Sequence, residues 1–234
     1  MFKNNMNIKL QHIKVCNAKH KNREGVGKNM KCKKILAIGF SILLFSITVL
    51  TTSLPVQAAC SHGNAVYSHH ILSGGVGNYG SFRRYFYLVN LNDLYSGYAR
   101  TAVTEWVNTT SGVGVTTSIS IRETTTQSSS VFDLYNYNNS HTSVLGYTEF
   151  YTYSTSRDPS TQNWGWSRIY LNGSVLAKTT AAQRRATIAH EFGHAMGLIH
   201  RNSAPTSIMC QLASGRTATR ASASDCGNIN HLYN

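Results

Sequence analysis

Acidic side chains are scarce in this chain, 9 Asp and Glu against 22 Lys and Arg in 234 residues, and the shortage is uneven. Residues 1–58 carry 10 basic residues and 1 acidic one, whereas residues 59–234 carry 12 and 8, so the net charge of +13 divides into +9 and +4. No run of Lys or Arg longer than a pair follows residue 58. A nucleic-acid partner inferred from the overall charge would therefore rest on the first 58 residues, and none is expected. Long apolar runs are missing too: the longest, residues 35–50, has about 16 residues where a membrane span needs about 20. Cysteine is sparse after residue 58, with only Cys60, Cys210 and Cys226. No internal repeat and no long linker divides residues 59–234, which suit one domain with length enough for a core.

The apolar run has a different use. From Met30 the chain reads MKCKKILAIGFSILLFSITVLTTSLPVQA, a lysine-rich start, an apolar stretch and then small residues, which is the pattern of a secretory signal. Val56 and Ala58 stand where small residues precede a cut, so cleavage is expected after Ala58. Residues 1–29 are a polar, basic, unpatterned extension, which signal peptides do not usually carry, and Met30 is an alternative start. The expected organisation is thus an extension (1–29), a signal peptide (30–58) and a single domain (59–234). The mature protein is expected to be secreted, monomeric and in contact with a membrane only through the signal. An uncleaved anchor is the competing reading; a lipoprotein on Cys60 is disfavoured because Gln57 stands where such signals want an aliphatic residue.

Hydrophobic periodicity orders the domain. Residues 81–90 (SFRRYFYLVN) suit a strand. Leu91, Leu94, Tyr95, Tyr98, Ala102 and Trp106 then recur at helical spacing, with Asn92 or Asp93 available as a cap. Alternation predicts strands over 113–121, 131–137, 144–153 and 166–171. Thr180 followed three residues later by Gln183 forms a capping-box pattern that opens a second helix over about 181–196. A short helix is expected over about 225–233. A sheet backed by two helices, an α+β or α/β arrangement, accommodates this order.

The second helix carries HEFGHAMGLIH, residues 190–200. On a helix, His190 and His194 lie about 40° apart around the axis and about 6 Å apart along it, so both imidazoles reach one ion. Glu191 points about 100° away and flanks the space where a water on that ion would lie, the place for a general base. Gly197 accepts the positive φ that ends a helix, and the turned chain can bring His200 back as a third ligand. With this composition, a chance occurrence of H-E-x-x-H-x-x-G-x-x-H is on the order of a few in a hundred thousand. Three imidazoles and one open position suit one catalytic zinc rather than a closed structural site. The competing reading is a helix whose histidines are merely solvated.

Together with Met209 inside SIM, nine residues past His200, the motif resembles the metzincin clan of zinc peptidases, and most closely the matrixins. RIYLN at 168–172 and DCGNINHLYN at 225–234 resemble the strand before the active-site helix and the final helix of bacterial members. The resemblance covers residues 81–234. It implies a twisted mixed sheet backed by two long helices, an active-site helix followed by a Met-turn, and a short C-terminal helix. It further implies His190, His194 and His200 as zinc ligands, Glu191 as general base and acid, and Met209 as the apolar floor beneath the metal. Val144, Leu145, Gly146 and Tyr147 resemble the edge strand to which substrates pair by β-augmentation. Asp225 matches the family aspartate that buttresses the site and can receive an N-terminal ammonium, or it simply caps the last helix.

Departures from the family shape other expectations. Matrixins hold a structural zinc and calcium in loops rich in Asp and His, but here NYNNSHTSVLGY offers only His141, with Asp133 upstream, so neither ion is expected and His141 is read as a surface residue. No room is apparent for a propeptide of ordinary size, and Cys60, near His62, is a weak candidate for a latency device. His69 and His70 are read as surface residues. A disulfide between Cys210 and Cys226 is preferred, since it would tie the segment after the active site to the C-terminal stretch, although connectivity is open. The residues after Met209 (Cys210, Gln211, Leu212, Ala213) lack the family's usual aromatic-proline pattern, which leaves the pocket preference undefined. The expected function is a secreted zinc endopeptidase acting on peptides or proteins. A zinc-retaining binding module or toxin without turnover, and a zinc amidase acting on cell-wall peptides, are the alternatives.

Overall fold

A computed structural model describes residues 65–79 and 81–234, all within one unit. The expected signal peptide and cleavage site, together with Cys60 and His62, lie outside the described residues. Among those described, no helix is long and apolar enough to cross a membrane.

Strand β1 (Arg84–Val89) leads into helix α1 (Asp93–Val107), whose first turn is capped by the Asn92 side chain accepting from the Tyr95 amide. After the one-turn helix α2 (Thr109–Val113) come β2 (Ile121–Glu123), β3 (Phe132–Tyr137), β4 (Gly146–Thr152), β5 (Thr155–Arg157) and β6 (Trp166–Asn172). The short α3 (Gly173–Leu176), the long α4 (Ala181–Ala195) and α5 (Ala223–Tyr233) complete the order. The six strands form one mixed sheet in the order β2-β1-β3-β6-β4-β5. β1 is parallel to β2 and β3, and β3 to β6, while β4 runs antiparallel to both β6 and β5.

Alternation along the strands separates two faces. Phe86, Phe132, Leu134, Ile169, Leu171 and Phe150 turn inward and are buried with α1 and α4. Phe192 of α4 meets Phe86 and Phe132 edge-on at 6.0 and 5.8 Å, and the Trp106 indole of α1 donates to the Ala189 carbonyl of α4 at 2.9 Å. The opposite face carries Tyr135, Tyr170 and Tyr147, which occupy one register line across β3, β6 and β4 and stack at 5.2 and 4.7 Å.

Helix α4 starts and stops as its sequence directs. Thr180 and Gln183 form the reciprocal capping box. At the other end Gly197 has φ +103°, its amide bonds to the His194 carbonyl, and the Leu198 amide bonds to the Gly193 carbonyl, the pair of hydrogen bonds of a Schellman turn. A side chain at Gly197 would also press on Leu232 of α5. The N-terminal segment then closes over this turn: Val66 bridges Leu198, the Tyr67 amide bonds to the Gly197 carbonyl, and the Ile199 amide to the Ala65 carbonyl.

Two expectations about elements need correction. Residues 113–121 are not a strand, because their backbone finds single partners rather than a ladder. The chain leaves α2 through Gly114 at φ +72°, and Ser120 bonds to Val76 and Arg84 before β2 begins at Ile121. The last helix is capped by Ser222, not Asp225; Asp225 is the third helical residue and returns the bond to the Ser222 amide.

Candidate active site

His190 and His194 sit one turn apart on α4, and the turn at Gly197 brings His200 back against them, so the three ring centroids lie 4.6 to 5.1 Å from one another. The Nδ1 atoms of His190 and His194 are each 2.7 Å from a backbone carbonyl, that of Ile208 and that of Leu198. A carbonyl only accepts, so both Nδ1 atoms carry hydrogen and both Nε2 atoms are bare acceptors. Yet His194 Nε2 lies 3.1 Å from His190 Nε2 and 3.0 Å from His200 Nε2. Lone pairs converging at that distance repel unless a cation stands among them. Tetrahedral zinc with nitrogen ligands at about 2.0–2.1 Å would set its donors about 3.3 Å apart, close to the separation here, and an all-imidazole set suits such an ion. The residues therefore fit the metal. Among the described residues this is the one cluster of three or more His, Cys, Asp or Glu donors able to hold a cation.

Burial keeps the ligands neutral. It drives His190 well below the ordinary imidazole range, with repulsion from the neighbouring His194 opposing a second proton, and takes His194 down to about 3; His200 is also lowered by burial.

The first ligand is held from behind by a chain of contacts. Asp225, fully buried, accepts from the Ile208 amide at 2.9 Å and from the Ser207 hydroxyl, and the Ile208 carbonyl on the same peptide segment holds His190 Nδ1. Asp225 is thus a positioning residue that acts through Ile208. Met209 is fully buried, and a Cβ at Gly193, between His190 and His194 on α4, would collide with its sulfur, so the glycine of HEFGH makes room for the methionine.

Glu191 is buried beside the triad, on the side that faces β4. The Thr148 hydroxyl donates to its Oε2 at 3.0 Å, while Oε1 has no donor among the described residues and lies close to Gly146. A side chain at Gly146 would crowd Glu191 Cγ and Oε1 at 3.2 and 3.3 Å. Burial lifts the Glu191 carboxyl to about 7, against the opposing pull of the Thr148 bond and the Arg216 charge.

These groups open into a cleft of about 390 Å³ lined by the triad, Glu191, Val144 to Thr148, Tyr67, Thr187, and the segment from Gln211 to Arg216. All four expected strand residues, Val144, Leu145, Gly146 and Tyr147, reach it. They do not form the outermost strand, however. β5 covers β4 from Phe150 to Thr152, so Gly146 to Glu149 lacks a partner on that side among the described residues, and Val144 and Leu145 precede the strand. The Tyr147 ring stacks on Tyr170 across the sheet, so this residue offers the cleft its backbone.

Other expected residues fall elsewhere. Cys210 and Cys226 are separate buried thiols, not a disulfide: Cys210 Sγ faces the carbonyls of Asn202, Gln211 and Ser214. Cys226 lies in the first turns of α5, where burial pushes its thiol up to about 12. His141 is exposed, and His69 packs against His231, outside the cleft. Asp133 accepts from Gln127 at 2.8 Å and from Ser130, a local loop contact.

Two cleft residues escape a reading of the sequence. Tyr67 reaches the site because its strand-like segment pairs with the residues after α4, which places its hydroxyl 3.4 Å from His194 Nδ1. Arg216 reaches it from the loop before α5. Neither has a local pattern that announces it.

The sequence profile of the matrixin family matches residues 113–234, more than half of the chain. No match is found among curated proteins. Among solved structures, that of myroilysin is similar with a TM-score of 0.35 and 13% identity; the match spans 56% of this chain and 55% of that one, so this chain covers about half that protein's length. The extent of the profile match, which runs through both α4 and α5, establishes that the chain belongs to the matrixin family.

Proposed function

We propose that this protein is a secreted zinc endopeptidase that cuts peptide bonds with one catalytic zinc, held by His190, His194 and His200, and with Glu191 as its base and acid. The observation that carries this reading is the convergence of three Nε2 atoms, two of them on rings whose Nδ1 is already committed, beside a buried carboxyl with one oxygen that no donor meets among the described residues. A zinc ion in that place supplies a Lewis acid that polarises a carbonyl and lowers the pKa of water. The Ile208 and Leu198 carbonyls hold two of the three rings in the tautomer that presents Nε2. Thr148 anchors Glu191 through Oε2, so that Oε1 takes the proton of the attacking water and then gives it to the departing amine nitrogen. A carboxyl poised near 7 suits both halves of that transfer. The unpaired stretch of β4 from Gly146 to Glu149 offers backbone groups to an extended substrate, which adds as a further strand over the triad. Export is supported by the apolar run at 35–50 and the small residues ending at Ala58.

The test is Glu191→Gln. It should keep zinc and lose turnover by roughly 10²- to 10⁴-fold. Near-normal turnover with zinc in place would rule out the assigned proton path.

A further inference from the structure

The cleft ends on a buried cation that Glu191 influences through space but that forms no ion pair among the described residues. Arg216 lines it, yet is only 8% exposed. Its guanidinium donates to the Thr187 hydroxyl at 3.0 Å and to the Cys210 carbonyl at 3.4 Å, both neutral acceptors. Among the described residues no carboxylate lies within ion-pair distance of it. A guanidinium has five donor hydrogens, so most are left for another partner. Burying such a cation without a carboxylate in contact is costly, and free energy is recovered when an incoming carboxylate supplies that contact and bidentate geometry. The position is a substrate position: Thr187 lies one turn before His190 on α4, and Gln211, Leu212 and Ala213 form the wall between Met209 and Arg216.

We propose that Arg216 determines specificity and that this pocket takes an acidic side chain, Asp or Glu, from a substrate residue flanking the cut bond. The inference rests on the peptidase reading for the word substrate, but the pocket's preference for a carboxylate does not depend on turnover. Thr187 fixes the guanidinium from the helix side, and the Cys210 carbonyl fixes it from the wall.

The experiment has two arms. In the first, the zinc-loaded chain cuts a proteome-derived peptide mixture, and the residues on both sides of each cut are read by mass spectrometry. Peptides differing only by Glu or Gln at the preferred position are then compared. The expected result is enrichment of Asp and Glu at one flanking position and a kcat/KM ratio of roughly 10 to 100 for Glu over Gln. Arg216→Met should bring that ratio to about 1, while Arg216→Lys, which keeps the charge and loses the fork, should retain part of it. In the second arm, immobilised Glu191→Ala protein is equilibrated with a mixed Glu/Gln and Asp/Asn peptide pool, with and without the added Arg216→Met change. Acidic peptides should be enriched only where Arg216 is present. A purely structural role for Arg216 would lower stability without moving either ratio. Efficient cutting with no acidic preference overturns this inference and leaves the peptidase reading intact. Absence of cutting with Arg216-dependent enrichment in the second arm does the reverse. Should Arg216→Met fail to fold, the unmutated chain's cut profile and the Arg216→Lys ratio still decide the matter.

Discussion

At the scale of single residues, the site depends on groups that fix other groups. His190 is aimed by the Ile208 carbonyl, and Ile208 is aimed by Asp225, whose carboxylate is fully buried and accepts from Ser207, Ile208 and Ser222. Removing that carboxylate leaves buried donors unsatisfied, at about 1–3 kcal/mol for each. Asp225→Ala is therefore expected to lower the thermal midpoint and also to weaken zinc affinity, since His190 loses its orientation. Calorimetry and a zinc titration measure the two effects separately, and a destabilised variant with unchanged zinc affinity would mean that Ile208 does not transmit the contact. Gly193 illustrates the same dependence in packing. Gly193→Ala drives a methyl into the Met209 sulfur and is expected to cost about 1–3 kcal/mol, read as a lower urea midpoint.

At the scale of elements, α4 carries nearly all that could be read in advance. Its capping box, its two histidines and its glycine stop are local signals, each fulfilled within a few residues of chain, so they survive without knowledge of the rest of the fold. Thr180→Ala should accordingly cost about 1 kcal/mol of stability and leave the kinetics unchanged, because the cap lies more than two turns from His190. β1, β3, β4 and β6 were legible by alternation to within three residues at each end. The segment 113–121 was not, because the backbone groups of Ser120 bond to Val76 and Arg84, which are distant in sequence, instead of joining a ladder. Tyr67 and Arg216 were invisible for the same reason: only the pairing of 65–67 with 197–199, and the path of the loop before α5, bring them to the cleft. The separate thiols of Cys210 and Cys226 show the limit of counting cysteines, since direction of the side chain decides bonding.

At the scale of the whole molecule, neutral buried ligands set a pH dependence. In the metal-stripped chain, burial holds the imidazoles below the ordinary 6.5, with His194 at about 3. Between these values the unfolded chain binds protons that the folded chain refuses, so this stability is fully present above about 6.5 and is lost as the pH falls. Glu191 works in the opposite sense. Raised to about 7 from 4.5, it holds an extra proton in the folded chain between those values, so its contribution grows as the pH falls through 7. Three imidazoles outweigh one carboxyl, and the urea midpoint of stripped protein should drop between pH 6.5 and pH 5; a rise would contradict a neutral triad. Zinc binding adds to stability at neutral pH and is lost over the same window, because its ligands must be unprotonated. The central claim, that the three histidines hold the zinc that makes this domain a peptidase, is tested most directly by stripping the chain with chelator and titrating zinc back while following peptide cleavage. Cleavage should be absent in the stripped protein and rise to a break at one zinc per chain, whereas cleavage that persists without metal, or rises with no break at one equivalent, would contradict it.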